Sequence, residues 1–108
     1  MDELSYKLFF KAISNKTRFE IIKLLRKGPK CVSDICQELG FEQSRVSHNL
    51  KCLENCGFVN SRYEGKNKIY SLDKETILPI LTAINKHLEK YSERLKICGI
   101  LTKKGKKF

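Results

Sequence analysis

Cys52 and Cys56 are the two side chains of this sequence best spaced to do chemistry together. They lie in SRVSHNLKCLENC, residues 44–56, where Val46, Leu50 and Leu53 recur at the i, i+4 and i+7 spacing of one buried helix stripe. Four residues make about one helical turn, so both thiols stand on one flank and can reach a single ion without bending the helix. Soft thiolates select soft ions, and Cd(II), Pb(II) and As(III) accept sites made only of sulfur. Cys31, Cys36 and Cys98 bring the total to five thiols. No basic stretch followed by an apolar run and a cleavage site opens the chain, so a cytoplasmic location is expected. There, cysteines serve metal binding, redox sensing or small apolar packing rather than a disulfide framework.

The same helix offers a second chemistry. At about 100° per residue, Ser44, Ser47, His48, Lys51 and Asn55 share the polar face opposite the apolar stripe. With Gln43 at its start, that face matches what reads DNA in the major groove: Gln suits adenine, and Ser or Lys reaches bases or phosphates. Arg45, nearer the cysteine flank, reads as a phosphate contact. The charge balance agrees, since 22 Lys+Arg against 12 Asp+Glu leave +10, and polyanions are the natural partners. Residues 89–108 hold seven basic and two acidic side chains, half of that excess, in a tail ending TKKGKKF. The tail is either a solvated flexible end or an extra phosphate contact. His48 and His87 stand isolated, with no paired carboxylates and no Gly-rich phosphate loop, so the sequence does not read as an enzyme. No run of about 18 apolar residues exists to span a membrane.

The elements that must hold these groups follow from periodicity. Glu3 to Ile13 predicts a first helix with more apolar area than one stripe needs, so part of it should meet another chain. Ser14 and Asn15 are good helix caps ahead of a second helix, TRFEIIKLLRK, with Phe19, Ile22 and Leu25 inward and Gly28-Pro29 ending it. A short third helix spans about Val32 to Leu39, Gly40 turns the chain, and the Cys52–Cys56 helix begins near Glu42. That is a helix-turn-helix pattern. Phe58 to Tyr63 and Lys66 to Leu72 predict strands joined at Glu64-Gly65-Lys66-Asn67, with Arg62, Lys66 and Lys68 as positive charge on the resulting wing. A last helix starts near Glu75 with Pro79 in its first turn. Its Ile77, Leu81, Ile84, Leu88, Tyr91 and Leu95 alternate steps of four and three, a heptad seam best explained by a homodimer built from the first and last helices.

With these elements in place, the chain resembles the ArsR/SmtB family of metal-responsive repressors. ISNKTRFEIIKLL, SRVSHNLKCLENCGFV and RYEGKNKIYSL carry the likeness across roughly residues 8–72. The resemblance implies a dimeric winged helix-turn-helix, mainly α with an α+β character, in the order ααααββα. It also implies repression of transcription until an inducer binds. The family's zinc-sensing Asp-x-His site has only Asn85-Lys86-His87 as a counterpart, so it looks absent. The arsenic-sensing Cys-x-Cys-x-x-Cys run survives as Cys31 and Cys36 with Ser33 in the middle. Cys36 also shares the apolar stripe of Val32, Ile35 and Leu39, which points to packing. The branch that senses cadmium and lead through the recognition helix fits best. In it, two cysteines four apart before a Gly are joined by a third from the C-terminal region of the partner chain, which implies Cys98 here. Cys98 also continues the heptad by a step of three from Leu95, so a place in the dimer seam is its other reading.

The sequence thus predicts a winged helix-turn-helix over residues 1–98 and a basic flexible tail over 99–108. The expected function is a homodimeric repressor on an inverted-repeat double-stranded operator, with Gln43, Ser44, Arg45, Ser47, His48, Lys51, Arg62, Lys66 and Lys68 on DNA. Cd(II) or Pb(II) is the expected inducer on Cys52, Cys56 and Cys98, with Cys31 and Cys36 as the alternative site and As(III), Zn(II) or no metal as the alternative ligands. A thiol redox or persulfide sensor on the same fold is the competing function.

Overall fold

A computed structural model describes residues 1–102. The chain forms two compact units, divided between Asp73 and Lys74. The first holds α1 (Glu3–Ser14), α2 (Lys16–Arg26), β1 (Lys30–Cys31), α3 (Val32–Leu39), α4 (Gln43–Asn55), β2 (Val59–Glu64) and β3 (Asn67–Leu72). The second holds α5 (Ile77–Ile97) and α6 (Gly99–Thr102).

Capping decides where the early helices begin. The Asp2 carboxylate accepts the Ser5 amide at 2.7 Å ahead of α1, and Asn15 Oδ1 accepts the Arg18 amide at 3.0 Å ahead of α2. These side chains satisfy amide hydrogens that have no partner inside a helix. Between α3 and α4 the chain reverses at Gly40, whose φ of 71° is left-handed, and its amide donates to the Cys36 carbonyl at 2.8 Å. Gly57 ends α4 in the same way at φ 84°, and the Phe58 amide then returns to the Leu53 carbonyl at 2.9 Å.

Ile21, Ile22, Ile35, Val46, Leu50, Leu53 and Val59 are the largest fully buried side chains, so the core of the first unit lies where α2, α3 and α4 meet the sheet. The α4 stripe expected from periodicity is buried throughout, and Asn49 joins it. Phe19, expected inward, is only half-buried; Ile21 and Leu24 take that role beside Ile22 and Leu25.

The sheet has the order β1-β3-β2, all antiparallel. β2 and β3 pair from Val59↔Leu72 to Glu64↔Asn67, leaving Gly65 and Lys66 as the loop of the expected hairpin. The strand β1 is an addition to the expected order. Two residues long, it pairs Lys30 with Tyr70 and Cys31 with Ile69, too short to show any alternation in the sequence.

In the second unit, α5 starts at Ile77 with Pro79 as its third residue, inside the first turn. Cys98 caps its C-terminal end, where the expected domain boundary falls. Gly99–Thr102 then adds a helical turn where flexible chain is expected, because the Cys98 carbonyl accepts both the Thr102 amide and its hydroxyl, at 3.0 and 2.9 Å. The rest of the expected tail, residues 103–108, lies outside the described residues.

Candidate nucleic-acid interface and thiol pair

The outer face of α4 is built as its sequence demands. Ser44, Ser47, His48, Lys51 and Asn55 are all exposed, and Gln43 leads the helix from its first position. Gln43 also lines an open cavity of about 380 Å³ with Ser33, Cys36 and Gln37. Cys36, read as a packing residue, is therefore half-buried beside that cavity rather than sealed in the core. Cys31 precedes the first residue of α3 and hydrogen-bonds through Sγ to Ser33 Oγ at 3.3 Å.

Arg45 has a different setting from the other expected DNA contacts. Its Nε and Nη2 both donate to Thr17 Oγ1, at 2.9 and 2.7 Å, and its guanidinium lies 3.8 Å from the centre of the Phe41 ring. Thr17 is buried, so Arg45 ties the first turn of α4 to α2. One turn on, Asn49 donates through Nδ2 to the Arg45 carbonyl at 2.9 Å and accepts Arg18 Nη1 on Oδ1 at 3.3 Å. The remaining arms of Arg18 reach the end of α1, Nε to the Ala12 carbonyl at 2.8 Å and Nη2 to the Lys11 carbonyl at 3.2 Å. A cation suits those carbonyls, which carry the negative end of the helix dipole. Sequence reasoning missed Thr17, Arg18 and Asn49. The only available signal was Asn49, a polar residue flanking the apolar stripe.

The far end of α4 is tied to the wing. Glu54 accepts the Ser61 hydroxyl on Oε2 and stands 3.9 Å from Lys68 Nζ through Oε1. Lys68 sits over the Tyr70 ring, and hydrogen bonding to Tyr70, then the charges of Tyr70 and Glu54, hold its ammonium above the usual lysine range. Period-two alternation explains this: Lys68, Tyr70 and Leu72 share the face of β3 on which Tyr70 and Leu72 are buried. Arg62 lies on the other face and donates through Nη2 to Glu64 Oε2 at 2.8 Å. Lys66 occupies the exposed loop between the strands.

Cys52 is half-buried and Cys56 exposed, and they stand one helical turn apart, the Cys56 amide donating to the Cys52 carbonyl at 3.0 Å. Burial pushes the Cys56 thiol above the usual range; Cys52 adds to the rise and Arg18 opposes it. Cys56 also lines a cavity of about 300 Å³ with Ser5, Leu8, Phe9, Ala12 and Phe58. Two cysteines one helical turn apart, Cys56 of them beside open volume, suit one arm of a soft-metal site. Among the described residues of one chain, no group of three His, Cys, Asp or Glu could complete it. Cys98, half-buried in the second unit, lines an apolar cavity of about 360 Å³ with His87, Tyr91, Arg94, Leu95 and Leu101. The His87 and Tyr91 rings lie 4.9 Å apart, tilted by 44°.

No helix among the described residues is long and apolar enough to cross a membrane. The model of the bacterial regulatory proteins of the arsR family matches residues 15–61, from the cap of α2 into β2. The arsenical resistance operon repressor of Staphylococcus xylosus is 33% identical over 89 residues, covering 80% of this chain and 82% of that protein. A homologue of the cadmium resistance regulatory protein CadC from Staphylococcus aureus is 39% identical over 69 residues, 63% of this chain and 57% of that one. Against the first relatives matched, the chain spans 51%, 65% and 57% of their length. The solution structure of a homodimeric winged helix-turn-helix DNA-binding domain from Mycobacterium bovis superposes with a TM-score of 0.73 at 24% identity, covering 87% of this chain and 93% of that one. The fold is therefore the winged helix-turn-helix expected from the sequence.

Proposed function

Because the chain belongs to the arsR family of bacterial regulatory proteins, DNA-binding regulators rather than enzymes, we propose that it is a transcriptional repressor released from DNA by a thiophilic metal ion. It binds an inverted-repeat operator as a homodimer, and Cd(II) or Pb(II) is the inducer. The observation that carries this is that Cys52 and Cys56 stand one helical turn apart at the end of α4, the helix whose exposed polar face is the candidate DNA reader. Relatives named for mercury, cadmium and arsenical resistance are in keeping with a soft ion.

Gln43, Ser44, Ser47, His48 and Lys51 enter the major groove, and Arg62 and Lys66 meet phosphates or the minor groove. Arg45 and Lys68 act mainly by holding the helix and the wing at a fixed angle, through Thr17 and Glu54. Cys98 of the second copy supplies the third sulfur, which links α4 to a segment that DNA-bound protein leaves free. A coupling of about 3 kcal/mol would change operator affinity by roughly 150-fold. Metal–thiolate binding, on the order of 10 kcal/mol for structural zinc, is ample to drive it.

A thiol redox or persulfide sensor would use the same pair. Both readings need the thiolate, so metal uptake itself has to separate them. Anaerobic titration with Cd(II) tests the choice. The expected result is an intense sulfur-to-metal ultraviolet band, together with weakened binding to a duplex selected by the protein from a random-sequence pool. Cys52→Ser should lose both effects while keeping metal-free DNA binding. A wild-type protein with no band, or a Cys52→Ser variant that still responds, refutes the assignment.

A further inference from the structure

We propose that Arg18 is the positioning residue that holds α4, the candidate DNA-reading helix, at a fixed angle to α1, and so sets the spacing of half-sites that the dimer accepts. This rests on reading the chain as a homodimer on an inverted repeat, with α1 in its interface. Helix α1 ends at Ser14 and α2 begins at Lys16, so Asn15 alone joins them, in extended backbone at φ -72° and ψ 130°. A joint of one residue is a hinge unless something crosses it. Arg18 crosses it. Its amide donates to Asn15 Oδ1 at 3.0 Å, while its Nε and Nη2 fold back onto the Ala12 and Lys11 carbonyls at 2.8 and 3.2 Å. Those carbonyls lie in the last turn of α1, the negative end of its dipole, which a cation suits.

The remaining arm of the guanidinium ties this joint to α4. Arg18 Nη1 donates to Asn49 Oδ1 at 3.3 Å, and Asn49 is buried. The Asn49 amide is oriented by its two partners, because Nδ2 donates to the Arg45 carbonyl at 2.9 Å and a flip would set donor against donor. Thr17, the residue before Arg18, accepts Arg45 Nε and Nη2. Two consecutive residues at the start of α2 thus hold two consecutive turns of α4. Helix α1 also meets the chain just past α4 through Phe9, whose ring centre lies 5.4 Å from that of Phe58. An apolar contact keeps two elements together but lets them turn, since it has no direction. A planar guanidinium, with its donors in a fixed fork, does not.

Helix α1 leaves Leu4, Leu8 and Phe10 exposed for the second copy. The angle between α1 and α4 then decides where each copy's reading helix falls on the duplex. Lengthening the spacer by one base pair moves a half-site by about 3.4 Å along the axis and by about a tenth of a turn around it. A rigid pair of reading helices rejects the altered site, whereas a pair that swings at Asn15 accepts it. Spacing selectivity is therefore what Arg18 contributes beyond holding the fold together.

The test uses the full-length chain and a duplex it selects from a random-sequence pool, together with versions whose spacer is one base pair longer or shorter. The readout is the ratio of affinity for the selected spacing to affinity for the altered ones, with the dimer checked by sedimentation. The wild type is expected to prefer the selected spacing. Arg18→Gln should cut that ratio by about tenfold while keeping the dimer and the affinity for unrelated duplex. Arg18→Lys, which keeps the charge but loses the fork, should fall between that variant and the wild type. If Arg18→Gln does not fold, Asn49→Ala removes the α4 partner alone and should lower the ratio in the same way. Folded, dimeric variants with the wild-type ratio overturn the role of Arg18. An equal loss on every duplex overturns it too, because it marks a merely structural residue. A wild-type protein that binds every spacing alike overturns the inverted-repeat reading itself.

Discussion

Thr17, Arg18, Arg45 and Asn49 do for α4 what the apolar stripe cannot, which is to set its rotation about its own axis. Hydrocarbon contacts at Val46, Leu50 and Leu53 are non-directional, whereas Thr17 Oγ1 accepts two bonds from one guanidinium in a narrow geometry. Thr17→Val should therefore lower stability by about 1 kcal/mol, below the usual range for a charged donor because the exposed Arg45 can turn to water; urea unfolding measures this. The thiol pair carries a pH signature. Burial, reinforced by Cys52, holds the Cys56 proton on near neutrality, so an incoming ion must displace it. Apparent Cd(II) affinity is then expected to rise with pH, about tenfold per displaced proton for each unit below the thiol pKa. Competition titrations at about pH 6 and pH 8 check the sign, and a flat profile would contradict it.

At the scale of elements, α4 and the hairpin are joined by Glu54, which reaches both Ser61 and Lys68. The wing therefore follows the end of the helix that carries the thiols. Its tip is set by Gly65, whose φ of 64° a β-carbon would strain. That geometry leaves Lys66 as the exposed cation of the loop. Lys66→Ala should weaken binding to all duplexes alike and reduce the salt dependence by about one counterion per protomer. Affinity measured across a salt series decides this, and a change confined to one sequence would instead mark Lys66 as a base reader.

For the whole molecule, each compact unit leaves apolar surface uncovered in a single chain. In α1, Leu4, Leu8 and Phe10 are 63%, 54% and 60% exposed; in α5, the heptad residues Leu88 and Leu95 are each 37% exposed. Large apolar side chains exposed at helical spacing on one element mark a protein–protein contact. The proposed homodimer would cover these side chains, and binding to an inverted repeat would need its two copies of α4 about 34–36 Å apart. Replacing Leu88 and Leu95 together by Glu should yield a monomer by sedimentation, with operator affinity falling toward that of nonspecific binding. A dimer that survives both charges would move the interface elsewhere.

Much of this was legible in the sequence because it depends on local period and capping. The α4 stripe, its polar outer face, the cap at Asn15, the turn at Gly40 and the Gly65-Lys66 loop all follow from residue type and spacing. The partners of charged side chains were not legible, because they join segments far apart in sequence. Arg45 meets Thr17 across 28 positions and Arg18 meets Asn49 across 31, so a residue read as a phosphate contact also makes an internal tie that its sequence neighbours do not announce. The two-residue strand β1 was hidden for the same reason, since only its pairing with β3 makes it a strand. Sequence determined which face of the helix is wet and where the cysteines stand along it; tertiary structure decided which cations have partners within the chain, because a hydrogen bond depends on distance in space and carries no period along the chain.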